Sequence, residues 1–335
     1  MNTRRAAIAA MISGLAVLLT GSFFAPREVL AACLVGLVGV AALPLGCLML
    51  ALVLALVSGS WRAMLWPGAE AISRAIPCIL VMLLPVLVGG GQLFFWSHER
   101  FEGLRGVWLS PAFFMSRAVV YVLIWTGLAC WVLPRARQQP GLAAVGVIVL
   151  VLTVSAAGID WIMTLDRHFY SSIFGLLYLG RVMLSGIALA ILLALSRRPQ
   201  RPGVLRGLLA GAVHFWLYLH FMQYLLIWSA DLPREINWYL MRSEGLWMVL
   251  LWMIALGQGA FVALALLFPS SERTGFLAAL CLVTLFSGLL ESAWLVLPAM
   301  EGLAQGIAVA FSFFACVGFC GLLVPFVAKE RLNEH

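Results

Sequence analysis

Apolar runs long enough to cross a bilayer recur along this chain, at 7–24, 29–57, 71–96, 111–133, 141–165, 171–196, 204–230, 245–268, 273–297 and 302–328. A hydrocarbon layer of about 30 Å takes roughly 20 helical residues to cross. Backbone N–H and C=O groups find no water at that depth, so runs of this length must be helices, which bond their own backbone. The expected fold is an all-α polytopic membrane protein of ten transmembrane helices, a single integral membrane domain over residues 1–335. Apolar residues make up 64% of the chain and charged residues 10%, a balance that excludes a soluble globular domain. The first run follows Arg4 and Arg5 as a signal peptide would, but nine further runs and an even total favour a retained helix.

The net charge of +7 reads as topology rather than as nucleic-acid binding. With the N-terminus in the cytoplasm, thirteen basic residues, among them Arg62, Arg74, Arg135, Arg137, Arg198, Arg201 and Lys329, fall on the inner side. Six fall outside (Arg27, Arg100, Arg105, Arg167, Arg234 and Arg242), and Arg117 and Arg181 lie within spans. This bias places both termini inside.

Cys33, Cys47, Cys78, Cys130, Cys281, Cys316 and Cys320 lie in or beside apolar runs, with no CxxC, no CxxCH and no iron–sulfur spacing. Buried, inert thiols account for them, including the i, i+4 pair Cys316 and Cys320. His214 and His220 point to different faces of one helix, and His98 and His168 are expected near the membrane surface. The expectation is therefore no metal site and no cofactor held covalently or through metal ligands. Leu43-Pro-Leu-Gly46, Pro77, Pro85 and Gly89-Gly90-Gly91 interrupt the second and third runs, as kinks and tight crossings do. No second half of the chain repeats these breaks, which argues against a stand-alone transporter.

Several ionisable groups fall inside the apolar runs: Arg117, Asp160, Arg181, His214, His220 and Glu291. A single charge at such depth is costly, so each should pair or line a wet cavity. Structural ion pairs are one reading. The other is a proton path through Asp160, His220 and Glu291, with His214 as a further candidate, because carboxylates and imidazoles can be tuned toward neutral pH. Arg117 and Arg181 suit ion pairing better, since guanidinium stays charged. Polar groups also gather at the predicted outer ends, in Trp96-Ser-His-Glu-Arg100, Leu109-Ser-Pro-Ala-Phe-Phe-Met-Ser-Arg117, Asp166-Arg-His-Phe-Tyr-Ser-Ser172 and Asp231-Leu-Pro-Arg-Glu235. These exceed an aromatic interface belt and suggest an extramembrane partner on that face.

Ile159-Asp-Trp-Ile-Met-Thr-Leu-Asp-Arg-His-Phe-Tyr-Ser-Ser-Ile-Phe-Gly175 resembles a signature of one membrane subunit of alternative complex III. This is the second polysulfide-reductase-like (NrfD-type) subunit, the quinone-binding subunit 2 of quinol:cytochrome c oxidoreductase. The stretch from Phe215-Trp through Gln223-Tyr-Leu-Leu-Ile-Trp-Ser-Ala-Asp-Leu-Pro-Arg-Glu235 is similar to a second signature. Pro111-Ala-Phe-Phe-Met-Ser-Arg117 with Tyr121 and Trp125, Leu43-Pro-Leu-Gly46, and Glu70 with Pro77 and Pro85 also fit. The matches touch the second to seventh runs, more than half of the chain. The family usually has arginine three residues before the acid of the ninth span. Here that position is Gly288, while the acid is kept as Glu291. The usual aspartate of the seventh span is missing too, which points to a divergent paralogue.

The resemblance implies NrfD-like helical bundles in a bacterial plasma membrane, as one subunit of a quinol-oxidising electron-transport complex. Its partners would be a homologous quinol-binding membrane subunit, an iron–sulfur subunit and c-type haem subunits on the periplasmic face. Those partners would hold the redox cofactors, and this subunit would be non-catalytic, structural and proton-conducting. An alternative is that the chain itself binds quinol near the periplasmic face, for which Asp160, His168, Arg117 and Tyr224 are the candidates.

Overall fold

A computed structural model describes residues 2–197, 202–300 and 302–332; Arg198 and Arg201 lie outside the described residues. Every regular element among them is helical. The long helices are α1 (Asn2–Gly21), α2 (Pro26–Leu56), α6 (Pro111–Ala136), α7 (Pro140–Trp161), α8 (Phe174–Leu195), α9 (Pro202–Ala230), α11 (Gly245–Ala265), α12 (Thr274–Val296) and α13 (Gln305–Leu332). Shorter ones are α3 (Ser60–Ser73), α4 (Cys78–Gly89), α5 (Gly103–Trp108) and α10 (Pro233–Leu240). Eight helices are long and apolar enough to cross a membrane, or nine if one bent pair counts as a single span. The chain is a multi-pass membrane protein.

Two of the ten expected spans differ from expectation. The run at 71–96 is not one helix. Trp61–Ser73 and Cys78–Gln92 meet at 43° across Arg74 to Pro77. Proline lacks the N–H that would continue the ladder and biases the preceding residue away from helix, so Pro77 accounts for the break. Arg62, Glu70 and Arg74 hid the first half of this pair from a hydropathy reading, and a Glu70–Arg74 ion pair of 2.7 Å lies on it. The run at 7–24 has an apolar helical part, Ile8–Gly21, shorter than the other spans. Helix α2 runs unbroken through Pro44, and of the kink or tight crossing expected at Leu43-Pro-Leu-Gly46 it is a tight crossing that forms, at Gly46.

Helix α2 is apolar on every side and is the most buried of the long helices, which places it at the centre of the bundle. It packs on α3, α4, α7, α8, α12 and α13, while α1 lies along α13. Its crossing with α8 depends on two glycines. A Cβ on Gly46 would overlap the Val182 carbonyl, and one on Gly186 would overlap the Gly46 backbone. The small residues bring the helices close enough for Cys47 Sγ to donate to the Gly186 carbonyl at 3.7 Å.

On the face carrying α5 and α10, α9 ends at Ala230 and Asp231 takes a left-handed conformation (φ 49°) before Pro233 opens α10. Arg242 then pins α10 to the bundle. It is 1% exposed and donates to the carbonyls of Trp238 (2.9 Å), Trp294 (3.2 Å) and Leu295 (2.9 Å), so it caps two helix C-termini at once. Its guanidinium carbon lies 3.8 Å from the Trp238 ring centroid. Burial pulls this guanidinium down to about 9, with Asp166 and Tyr239 acting in the opposite direction. It stays charged at neutral pH.

Candidate functional site

Two buried carboxylates organise the polar interior, each on its own helix with its own arginine. Asp160 lies near the end of α7 and is 1% exposed. Arg117 and Tyr121, at i and i+4 on α6, share the face that meets it. Arg117 Nε donates to Oδ2 at 2.9 Å and Nη2 to Oδ1 at 3.1 Å, a two-toothed pair. Tyr121 Oη adds 2.8 Å to Oδ2, and Trp108 Nε1 adds 3.2 Å to Oδ1. The remaining guanidinium nitrogen, Nη1, donates to the Trp108 carbonyl at 2.8 Å, and Arg117 lies over the Trp108 and Phe113 rings. Two turns further along α6, Trp125 Nε1 donates to Thr153 Oγ1 at 2.8 Å, so the α6–α7 seam is bonded at two levels. Four donor hydrogens converge on Asp160, and the carboxylate is saturated.

Glu291, on α12, is also 1% exposed but is held differently. His220 Nε2 lies 2.9 Å from Oε1, and Trp216 Nε1 donates to Oε1 and Oε2 at 3.2 and 3.0 Å. Trp216 and His220 sit one turn apart on α9. The Arg181 guanidinium approaches Oε2 only to 3.6 Å, through Nη1, while Nη2 donates to the Thr284 carbonyl at 3.1 Å. Gly288 makes room for it, because a Cβ at that position would overlap the guanidinium. A cation therefore fills the space a side chain at 288 would need, but it is supplied by α8.

A cavity of about 300 Å³ adjoins Glu291, bounded by Trp216, His220, Ile254, Gly259 and Trp294 among others. The His220 side chain is 24% exposed against 1% for Glu291. One proton between Nε2 and Oε1 can reside on the imidazole as a charge-assisted pair, or on the carboxyl group with the imidazole accepting. That freedom is what distinguishes this site chemically.

The structure unites some sequence candidates and separates others. His220 and Glu291 meet, whereas Asp160 joins Arg117 in the other cluster. His214 is exposed and bonds the Ala210 carbonyl of its own helix at 2.8 Å, away from Glu291. The four residues considered for a quinone do not share one site. His168 lines a polar cavity of about 700 Å³ with Arg27, His98, Arg167 and Asn237, and Tyr224 is 54% exposed with its ring against Tyr239. Gln223 does face inward, where its Oε1 accepts from Ser171 Oγ at 2.6 Å. Glu99 pairs with Arg167. A second aromatic cavity, about 510 Å³, is lined by Trp96, Leu104, Trp108, Met163, Phe169 and Tyr170 among others.

Sequence reasoning passed over Trp108, Trp216, Gly288 as a partner of Arg181, and the buried state of Arg242. Trp216 and His220 were legible as an i, i+4 pair, but nothing local says which carboxylate they meet. Among the described residues no group of three or more His, Cys, Asp or Glu side chains is arranged to hold a metal ion. No protein-family model matches this chain, and no curated protein matches it either.

Proposed function

We propose that this chain is an integral membrane subunit of a quinol-oxidising respiratory complex resembling alternative complex III, and that Glu291 with His220 passes protons within it. The observation that carries the proton role is the 2.9 Å contact between Nε2 and a fully buried carboxylate at the edge of a cavity. Such a pair can take up and release a proton without unpairing a charge in hydrocarbon. Assignment to the complex rests on the sequence signatures. It is supported by their convergence in space. Asp160 of one signature accepts from Arg117 and Tyr121 of another, and Ser171 of the first donates to Gln223 of the third.

In this reading the chain has ten spans of an NrfD-like bundle, with the bent pair as one and α1 as another. Twenty residues of α1 rise about 30 Å at ~1.5 Å each, enough for a thin hydrocarbon layer. Both termini face the cytoplasm of a bacterium. The α5–α10 face meets the iron–sulfur and c-type haem subunits, and a homologous membrane subunit lies alongside. The redox groups belong to those partners.

Purification in mild detergent tests the assignment. Co-purifying subunits with a c-type haem spectrum are expected, and a lone stable monomer without haem would favour a transporter. In the reconstituted complex, Glu291→Gln should impair proton release per quinol oxidised. Unchanged release and rate would remove the proton role and leave the subunit assignment standing.

A second reading, quinol binding by this chain, is favoured by the 510 Å³ aromatic cavity, because its Trp108 wall donates to Asp160. An azidoquinone should then label Trp108 or Met163. Label confined to the homologous partner subunit would dismiss it.

A further inference from the structure

Gln258 lies in the middle of α11 and is fully buried, and neither its Nε2 nor its Oε1 has a hydrogen-bond partner within the protein. Among the described residues it is the one carboxamide left so. It interrupts an otherwise apolar buried stripe, Trp247, Leu250, Ile254, Gln258 and Val262, spaced as one helix face. The helix is also irregular there. Ala255–Val262 is wound as π-helix, a form that concentrates at functional sites.

The flanking Gly257 and Gly259 lie beside the two neighbouring helices. A Cβ on Gly257 would sit 3.8 Å from Ser287 Oγ on α12, and one on Gly259 3.3 Å from Leu217 on α9. The polar groups of α12 that share this level are Thr284, Ser287 and Glu291, at i, i+3 and i+7 on one face. Thr284 Oγ1 is buried without a partner, and so is Arg181 Nη1 as a hydrogen-bond donor. The polar stretch stops at Val262, Leu280 and Cys281, all fully buried. Phe221, Trp252 and Leu256 are exposed on the outer faces of α9 and α11.

Buried amide and hydroxyl groups are rarely left unbonded, and an enclosed water needs two to four polar partners. Gln258 Nε2 and Oε1, Thr284 Oγ1 and Arg181 Nη1 supply them, with two acceptor oxygens and two donor nitrogens. We propose that Gln258, Thr284 and Arg181 hold an enclosed cluster of bound water beside Glu291, and that this water is the group with which Glu291 exchanges its proton. The inference rests on the reading of Glu291 and His220 as a proton-passing pair. It adds the immediate proton donor and acceptor.

The test uses the full chain in lipid nanodiscs. A cryo-electron microscopy map fine enough to place water should show ordered density bridging Gln258 and Thr284. Infrared spectroscopy should follow exchange of the Glu291 carboxyl band in D₂O. Gln258→Leu and Thr284→Val should each slow that exchange by about tenfold, the scale of one lost hydrogen-bonded step. Thr284→Val is nearly isosteric and decides the matter if Gln258→Leu does not fold. Direct protein bonding of the Gln258 amide with no density between it and Thr284, or unchanged exchange in the folded variants, would overturn the proposal. Neither readout involves turnover. Density and slowed exchange alongside unimpaired proton release in Glu291→Gln would keep the water cluster and discard the proton role.

Discussion

Asp160 and Glu291 are equally buried, yet their surroundings differ in kind. Asp160 is fixed by an arginine with two short bonds, a tyrosine and a tryptophan, none of which exchanges protons readily at neutral pH. Glu291 has its arginine at 3.6 Å and its shortest bond to an imidazole, with a cavity alongside. Removing a charge from water is expensive in both places. At Asp160 that cost is met by geometry that leaves no freedom, and at Glu291 by groups that can change protonation state. Burial alone therefore does not separate a locked carboxylate from one whose partners can change protonation state; the identity and slack of its donors do.

The contrast is sharpened most by removing each arginine. Arg117→Met leaves Asp160 buried without its cation and should destabilise the protein by about 3–5 kcal/mol in a reversible mixed-micelle unfolding titration. Arg181→Met should cost measurably less, because His220 remains within 2.9 Å of Glu291. Equal losses would erase the distinction. Next comes proton release in the proposed complex, once reconstituted. Glu291→Gln should slow it by about 100-fold, the lower range for a positioned acid–base group, whereas folded Asp160→Asn should release protons at the native rate.

Two smaller effects probe each site from within. Gly288→Ala pushes a methyl group into the Arg181 guanidinium and should cost about 1–3 kcal/mol in the same titration, with most of the loss absent in an Arg181→Met background. Tyr121→Phe removes one donor from a carboxylate that keeps three and should cost about 1.5 kcal/mol. Because Asp160 is already saturated, that variant should leave proton release unchanged.

Most of the helical order was legible because hydropathy is a local property, and eight of the expected runs coincide with long apolar helices. The bent pair was not, since its first half carries Arg62, Glu70 and Arg74 and its packing on α2 is a tertiary fact. The charged residues of the interior announced themselves singly. Their pairing did not, because Arg117 and Asp160 lie 43 positions apart and His220 and Glu291 lie 71 apart. Arg242 shows the same limit from the other side. A basic residue between two helices reads as a solvated loop charge, and only its position over Trp238 and against three carbonyls reveals a buried pin. Gly257-Gln258-Gly259 did stand in the sequence as a polar interruption between glycines, a signal that a reading centred on ionisable residues overlooks.

The guanidinium seated beside Gly288 has a consequence for how relatives of this chain should be recognised. Positions 181 and 288 compete for one volume, so a guanidinium can reach the Glu291 carboxylate from α8 or from α12, but not from both. Homologues are then expected to covary at these two positions, with arginine at 181 accompanying glycine at 288 and a smaller or neutral residue at 181 accompanying a long side chain at 288. A search that weighs each column separately would score the exchange as two losses. Weighed as a pair, it would count as a single charge carried by either of two helices.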